Sequence, residues 1–210
     1  MARQRDESYE ERRQQILEGA LEAFSTKGFR QATNKDVAAA AGIKSPGLIY
    51  HYFQDKADLL RAIAERYAPP LQLVAHADEV MALPLREALT RFAEAYLSLM
   101  EDPKSSAFVR LIMGQALRDP AFARLFAEIG PIRFLGLMAT YMERQMVAGH
   151  LRRIAPEQAA RTFIGPLLAY ALIHRILQIP TQIEQDRASL IATTVDVFLN
   201  GLEDRKESIP

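Results

Sequence analysis

The sequence predicts an all-α fold of about nine helices. Apolar residues recur at three- and four-residue spacing along almost the whole chain of 210 residues, as they do on one face of an α-helix. Short alternating runs of β-branched residues, which are typical of strands, are missing. Prolines and glycines stand between the periodic segments and indicate where helices end.

Composition excludes several classes of protein. The chain has no cysteine, which excludes a disulfide framework and a thiolate metal site. The first residues, MARQRDESYEERRQQ, are charged and lack the apolar run of a signal peptide. The longest uncharged apolar stretch, roughly residues 162–173, is too short to span a bilayer. A cytoplasmic protein is therefore expected.

Charge is unevenly distributed along the chain. The totals are 26 Lys and Arg against 26 Asp and Glu, and a neutral chain argues mildly against nucleic-acid binding. Between Lys27 and Lys56, however, five basic residues stand against two acidic ones. Any surface that binds anions is therefore expected in about the first 60 residues.

The first four helices are short and closely spaced. They are expected at about 9–27, 33–41, 45–53 and 56–68. Thr33 can cap the second helix, with Asp36 three residues on, and Gly42 can end it. Ser45 and Pro46 then fit the first positions of the third helix, because a serine oxygen accepts an orphan N–H and proline has none.

The third helix has one inward and one outward face. Ile49 and Phe53 lie one turn apart and are expected to point inward, whereas His51 points outward and Tyr50 lies on the flank. Two short helices joined by a glycine turn are typical of the helix-turn-helix motif. The second helix of that motif presents its N-terminal turn to the major groove of DNA.

The rest of the chain predicts five longer helices. They are expected near 84–101, 104–117, 121–148, 156–179 and 187–203. The Gly130-Pro131 and Gly165-Pro166 pairs fall inside two of them and should kink or split them.

The segment from Ile16 to Leu60, ILEGALEAFSTKGFRQATNKDVAAAAGIKSPGLIYHYFQDKADLL, resembles the DNA-binding domain of TetR/AcrR-family transcriptional repressors. The matching elements are an A-x-x-x-F-x-x-x-G-F run that starts at Ala20, the V-A-x-x-A-G of residues 37–42, and the G-L-I-Y-H-Y-F of residues 47–53. The resemblance implies a homodimer whose C-terminal helical domain binds a small molecule.

The resemblance also implies which residues touch DNA. Phosphate contacts are implied for Thr33, Tyr50 and Lys56. Base contacts are implied for residues of the recognition helix, namely Ser45, Pro46, Gly47, Leu48 and His51. The spacing from Gly42 to Tyr50 is one residue longer than in the commonest family pattern. Lys44 therefore contacts either a base or, from the turn, the DNA backbone.

Two further sets of residues are expected in the C-terminal part. Aromatic, Met and His side chains could line a ligand pocket, although plain core is the alternative for each; they are Tyr96, Phe108, Met113, Phe134, Met138, Tyr141 and His174. Apolar stripes on the last two helices predict a four-helix dimer interface. Its residues are Phe163, Leu167, Ala171, Leu190, Thr194, Val197, Phe198 and Gly201.

The expected function is repression by a homodimer that binds a palindromic operator and is released by a small, largely apolar ligand. The DNA-binding domain is expected at 9–55, a connecting helix at 56–68, and a regulatory domain at 69–205. The alternative is an all-α small-molecule sensor or carrier that no longer binds DNA.

Enzymatic and metal chemistry are not expected. No G-x-S-x-G, P-loop, G-x-G-x-x-G or H-E-x-x-H motif occurs, so neither catalysis nor a cofactor is predicted. His76 lies near Asp78 and Glu79, but no second histidine follows at helical spacing, so no metal is expected either.

Overall fold

The computed structural model describes residues 2–177, 179 and 186–202. Over these residues the chain forms eleven α-helices, one 3-10 helix, and no strand, which confirms the all-α prediction. The helices are α1 (Ala2–Lys27), α2 (Asn34–Ala40), the 3-10 helix η1 (Pro46–His51), α3 (Lys56–Tyr67), α4 (Pro69–Ala75), α5 (Ala77–Met81), α6 (Leu85–Ser98), α7 (Pro103–Ala116), α8 (Pro120–Ile129), α9 (Pro131–Val147), α10 (Pro156–Tyr170) and α11 (Arg187–Leu202).

The helices differ from the nine expected in three places. Helix α1 begins at Ala2 instead of residue 9, and α4 and α5 occupy residues 69–81, for which no helix is predicted. Gly130 separates α8 from α9, so the Gly130-Pro131 pair splits the expected helix, which is one of the two outcomes predicted for it. Helix α10, by contrast, runs through Pro166 and continues as a π-helical turn at Ala171–Ile176.

The helices form two compact units. The first contains α1 to α3 with η1, together with α7 and α8; the second contains α4 to α6 and α9 to α11. The change between units at Ala68 and Pro69 coincides with the Pro69-Pro70 pair, where α3 has ended and α4 begins. The region expected to be regulatory, 69–205, thus contributes two helices to the first unit, and its residues 203–205 lie outside the described part of the chain.

The core of the first unit is built on α1. Its apolar stripe is buried, with Ile16, Leu17 and Phe24 all at 0% exposure. Each such side chain contributes about 1.5–3 kcal/mol when it leaves water. Further buried side chains of the unit come from the following elements, and they are Val37, Ala38, Ile49, Phe53, Leu59, Leu60 and Ile63.

Helices α1 and α2 approach each other backbone to backbone. A Cβ atom built on Gly19 of α1 would lie 2.5 Å from the backbone nitrogen of Ala41 and 2.7 Å from its Cβ. Real Cβ atoms do not approach backbone atoms this closely, so a residue larger than glycine would push the two helices apart. Gly19 therefore sets the spacing of α1 and α2.

The second unit has an aromatic core. Phe92 makes edge-to-face contacts with Phe134 and Tyr141, each with 5.9 Å between ring centroids. The hydroxyl of Tyr141 donates to the carbonyl of Leu83 at 2.8 Å, so this buried phenol has a hydrogen-bond partner. None of the helices in the described residues is long and apolar enough to cross a membrane.

Replacing Gly19 with Ala is expected to lower the free energy of unfolding by about 1–3 kcal/mol, because α1 and α2 must separate to admit the methyl group. Gly114→Ala is the matched control. Gly114 is also helical and lies in the same unit, but a Cβ atom added there would have nothing within 4 Å. The free energy of unfolding of Gly114→Ala is expected to rise by about 0.5–1 kcal/mol, because alanine loses less backbone entropy than glycine on folding.

Urea denaturation of the two full-length variants, followed by circular dichroism, measures both effects. A Gly19→Ala protein as stable as the wild type would show that α1 and α2 do not touch at this point.

Candidate nucleic-acid interface

The turn between α1 and α2 is held by the side chain of Lys56. Gly28 ends α1 with φ +84°, a left-handed conformation that favours glycine. The Nζ of Lys56 donates to the carbonyls of Arg30 (3.1 Å) and Ala32 (2.9 Å), and it lies 5.0 Å from the ring centroid of Phe29. Burial lowers the pKa of the Lys56 ammonium. At most one N–H of this side chain remains for a phosphate, so Lys56 has a structural role beside the implied DNA contact.

The N-terminus of α2 carries the predicted capping box. The Oγ1 of Thr33 accepts from the N–H of Asp36 at 3.3 Å, and Asp36 Oδ2 accepts from the N–H of Thr33 at 2.8 Å. The hydroxyl of Thr33 also donates to Asp36 Oδ2. Lys27 and these Thr33 groups hold the pKa of the Asp36 carboxyl well below its usual range. Both donors of Thr33 are thus engaged, and a phosphate contact from Thr33 would have to replace one of these bonds.

The recognition segment is shorter than predicted and is not an α-helix. The sequence predicts a helix over 45–53, whereas η1 is a 3-10 helix from Pro46 to His51. Ser45 is its N-cap by backbone conformation, but the Ser45 hydroxyl makes no capping hydrogen bond. The prediction that the Ser45 side chain caps this helix is therefore wrong, and its hydroxyl is free of that role.

The predicted inward and outward faces of η1 are both present. Ile49 and Phe53 are each only 3% exposed, and Leu48 and Pro46 are partly buried. Tyr50 is 64% exposed, and the side chains of Lys44, Ser45 and His51 are exposed, as is Gly47. The exposed face therefore combines one cation, hydrogen-bonding groups and a large aromatic ring, which is the chemistry used to contact phosphates and base edges.

Sequence reasoning missed two residues that pack behind η1. The ring of Tyr9 lies 4.7 Å from that of Tyr52, and the guanidinium of Arg13 lies 5.2 Å from the ring centroid of Phe53. The four-residue spacing of Tyr9 and Arg13 could have indicated that both lie on one face of α1 and contact the same neighbour.

Helices α7 and α8 also support the turn before α2. Arg30 forms an ion pair with Asp119, 89 residues later in the chain, and Phe29 packs on Phe122 with 5.1 Å between centroids. Asp119 in turn accepts N–H groups at the start of α8 through its Oδ1. No local pattern in the sequence could indicate contacts over such a separation.

The structure does not gather the seven predicted pocket residues into one site. Phe108 and Met113 belong to the first unit, and Phe108 is buried there. Phe134, Met138 and Tyr141 lie in the core of the second unit, which is the alternative foreseen for them. Tyr96 packs against the same core, and burial raises its pKa to about 12. His174 contacts the ring of Tyr170, with 4.6 Å between ring centroids. None of the seven lines the larger cavity or the smaller groove of the second unit.

The larger cavity of the second unit has a volume of about 730 Å³ and a mixed lining. One wall is apolar and includes Leu73, Val80 and Leu83. The other residues are mostly polar or charged, and they are Gln72, His76, Glu79, Glu87, Arg91, Glu94, Ser98 and Arg187. The smaller groove, of about 330 Å³, lies between α9 and α10.

The arginines of the cavity have partners, whereas two of its carboxylates have none among the described residues. Arg187 pairs with Glu101 at 3.0 Å and donates to the carbonyl of Glu94 at 3.1 Å, and Arg91 lies 3.9 Å from the carboxylate of Glu94. No ion pair or hydrogen bond in the described part of the chain involves the carboxylates of Glu79 or Glu87. The cavity therefore has an uncompensated negative charge.

No metal centre is found in the described residues, where no group of three or more His, Asp or Glu side chains could hold an ion. His76 instead has its Nδ1 2.8 Å from the carbonyl of Gln72.

Most of the predicted dimer residues are buried within a single chain. Six of the eight are at most 7% exposed, and they are Phe163, Leu167, Ala171, Leu190, Thr194 and Phe198. Val197, at 67%, and Gly201 are exposed. An apolar stripe in a sequence does not distinguish the core of one protomer from an interface, and here it marks the core. The same helices expose a different apolar face, which includes Leu168 (50%) and Leu172 (36%).

Two family models match the chain. The model for bacterial regulatory proteins of the tetR family matches residues 16–63. The model for the C-terminal domain of AefR-like transcriptional repressors matches residues 87–201, more than half of the chain.

Individual relatives are regulators as well. The chain is 27% identical to the HTH-type transcriptional regulator SrpR of Pseudomonas putida over 151 residues, 72% of this chain and 68% of SrpR. It is 44% identical to the HTH-type transcriptional repressor AcnR of Corynebacterium diphtheriae over 160 residues, 75% of this chain and 77% of AcnR.

Solved structures share the fold. A TetR-family regulator from Mesorhizobium loti superposes with a TM-score of 0.66 at 23% identity, covering 92% of this chain and 97% of that one. The flavonoid-responsive regulator FrrA superposes with a TM-score of 0.63 at 27% identity, covering 93% of this chain and 98% of its own.

Lys56→Ala is expected to lower the free energy of unfolding by about 1–2 kcal/mol, because the carbonyls of Arg30 and Ala32 lose a charged donor. Lys44→Ala removes the same charge from an exposed side chain, so its stability is expected to stay within about 0.5 kcal/mol of the wild type. Urea denaturation of both variants makes the comparison. Equal stabilities would contradict the structural role of Lys56.

Proposed function

Because this chain belongs to the TetR family of transcriptional regulators, we propose that it represses transcription by binding a palindromic DNA operator as a homodimer, and that a small molecule releases it. The observation that carries this proposal is the exposed face of η1, with Tyr50 turned to solvent above the buried Ile49 and Phe53. A regulator of this kind works in the cytoplasm, where its operator is, and catalyses no reaction.

The exposed face of η1 is proposed to enter the major groove. Ser45 supports a base contact, because its hydroxyl is not used in capping, and the partly exposed Leu48 can touch a thymine methyl. Tyr50 and Lys44 reach the flanking phosphates from the exposed side. The N–H groups at the start of α2 add to the phosphate contacts, with the exposed Lys35 in that first turn.

The homodimer is proposed to form through the exposed face of α10 and α11, in place of the stripes that the protomer buries. Leu168, Leu172 and Val197 lie on this face, and small residues such as Gly165 and Gly201 would let two helices approach closely. A two-fold dimer places two copies of η1 on successive major grooves only if their separation matches about 34 Å, one turn of DNA.

The effector is proposed to bind in the 730 Å³ cavity of the second unit. Its volume suits a small molecule, since such sites typically measure about 300–1,000 Å³. Because the lining combines an apolar wall with the carboxylates of Glu79 and Glu87, which have no ion pair among the described residues, we propose an amphipathic cation instead of a wholly apolar ligand. FrrA, a flavonoid-responsive regulator, shows that a relative with this fold responds to a small molecule.

Release follows from differential affinity. A ligand that binds one conformer of the dimer more tightly shifts the population toward it and changes the separation of the two recognition segments. Weakening the affinity for the operator about 100-fold requires that the binding free energies of the ligand for the two conformers differ by roughly 2.7 kcal/mol.

The wild-type chain is expected to bind a labelled duplex from the DNA upstream of its own gene with two protomers per duplex. Val197→Asp should yield monomers and weaken DNA binding more than tenfold, because a carboxylate buried at an interface without a partner costs several kcal/mol. Val147→Asp is the matched control, since Val147 is 73% exposed at the end of α9.

Fluorescence anisotropy gives the affinity, and analytical ultracentrifugation gives the stoichiometry. A wild-type protein that binds neither its upstream DNA nor any duplex from a randomised library would favour the sensor or carrier alternative. A Val197→Asp protein that remains dimeric would place the interface elsewhere.

Decyltrimethylammonium, used below its micelle concentration, is expected to bind and to weaken the affinity for DNA, whereas decanoate should do neither. The double variant Glu79→Gln and Glu87→Gln should bind the cation about three- to tenfold less tightly, as expected for two partly solvated ion pairs. Its affinity for uncharged decyl glucoside should not change.

Glu143→Gln supplies the control, because Glu143 lines the smaller groove between α9 and α10. Isothermal titration calorimetry measures all affinities. The proposed ligand class would be contradicted if Glu143→Gln lost as much affinity for the cation as the double variant, or if decanoate bound more tightly than the cation.

A further inference from the structure

The first turns of α1 contact the C-terminal end of η1 through two side chains. Tyr9 packs on Tyr52, and the Arg13 guanidinium lies over Phe53. We propose that Tyr9 and Arg13 are positioning residues that hold η1 in the conformation that binds DNA. This inference rests on the proposed role of η1 as the recognition segment, and it adds two residues outside the helix-turn-helix motif to DNA recognition.

The recognition segment cannot hold this conformation by itself. It has only six residues, with 3-10 hydrogen bonds such as Leu48 N–H to the Ser45 carbonyl (3.1 Å) and Tyr52 N–H to the Ile49 carbonyl (3.0 Å). The i to i+3 geometry is weak, and an isolated helix of this length is unstable in water. Ser45 adds no side-chain cap, and Ile49 is the only buried residue of η1. Contacts from other elements must therefore fix its end.

The two contacts from α1 act at consecutive residues. Tyr9 and Arg13 are four positions apart, so they lie one above the other on the same face of α1. The Tyr9 and Tyr52 rings are 4.7 Å apart and tilted by 31°, and the Arg13 guanidinium is 5.2 Å from the Phe53 centroid. Tyr52 is the C-cap of η1. The pair therefore fixes the point at which η1 ends and the chain turns toward α3.

Tyr9 is not a core residue. Its side chain is 44% exposed, and its hydroxyl makes no hydrogen bond within the described residues. Truncation would thus remove a ring contact without opening a cavity in the core. The ring itself, and not the hydroxyl, carries the interaction with Tyr52.

Loss of this contact should reduce the fraction of free protein in which η1 is correctly placed. The apparent dissociation constant rises as that fraction falls, even when no DNA contact has been removed. Loss of one aromatic pair is expected to change the ratio of correctly placed to displaced η1 by roughly three- to tenfold. The number of phosphates contacted stays the same, so the dependence of affinity on salt should not change.

The test uses full-length variants and the duplex that the wild-type protein selects from a randomised DNA library. Tyr9→Ala is expected to weaken binding about three- to tenfold with an unchanged salt slope, and Tyr9→Phe should bind like the wild type. Tyr52→Ala should weaken binding as well. The double variant Tyr9→Ala and Tyr52→Ala should bind DNA with the same affinity as the single variant that binds less tightly. Thermal denaturation monitors folding of each protein.

Arg13→Met and Arg12→Met form a matched pair that remains informative if Tyr9→Ala does not fold. Both remove one positive charge, but within the described residues the Arg12 guanidinium hydrogen-bonds Gln15 of its own helix, at 2.8 Å, and makes no ring contact with η1 or the residues after it. Arg13→Met should weaken binding several-fold at every salt concentration, whereas Arg12→Met should not.

Three results would overturn the proposal. Tyr9→Phe as weak as Tyr9→Ala would show that the hydroxyl touches DNA, and fully additive losses in the double variant would show that Tyr9 and Tyr52 act separately. A salt slope reduced by Arg13→Met would make Arg13 a phosphate contact. A wild-type protein that selects no duplex would instead reject the proposed function, so the two failures are distinguishable.

Discussion

The close approach of α1 and α2 at Gly19 and Ala41 fixes the positions of the other elements in the first unit. Helix α2 is short and leads through Gly42, at φ +64°, directly into the recognition segment. Moving α2 away from α1 would therefore move η1 as well. The same helix α1 buries the apolar stripe of the unit and contacts η1 again near its own N-terminus. One long helix thus contacts both halves of the helix-turn-helix motif.

Charged side chains in this unit divide between holding the fold and facing solvent. Lys27 pairs with Asp36, Arg30 with Asp119, and Lys56 holds backbone carbonyls, so three of the five basic residues between Lys27 and Lys56 have partners in the protein. Lys35 and Lys44 are exposed. A net charge of zero is therefore compatible with DNA binding, because few cations near η1 are needed once helix N-termini supply further N–H donors.

Local patterns in the sequence predict local structure correctly and contacts between distant segments poorly. The cap at Thr33, the helix end at Gly42 and the buried Ile49 all depend on residues within a few positions, and the structure confirms them. The ion pair of Arg30 with Asp119 joins segments far apart in the chain. The apolar stripes on α10 and α11 show another limit, since burial inside a protomer and burial between protomers require the same residue types. Which face stays exposed depends on how the helices pack.

This regulator is proposed to read DNA through the exposed face of η1. Photo-crosslinking tests it most directly, with the photoreactive residue p-benzoylphenylalanine placed at position 50 or, as a control, at position 147. Both wild-type side chains are largely exposed, Tyr50 on η1 and Val147 at the end of α9. If η1 faces the DNA, the full-length protein forms crosslinks to its bound duplex from position 50 and not from position 147. Crosslinks from position 147 alone would show that another surface faces the DNA.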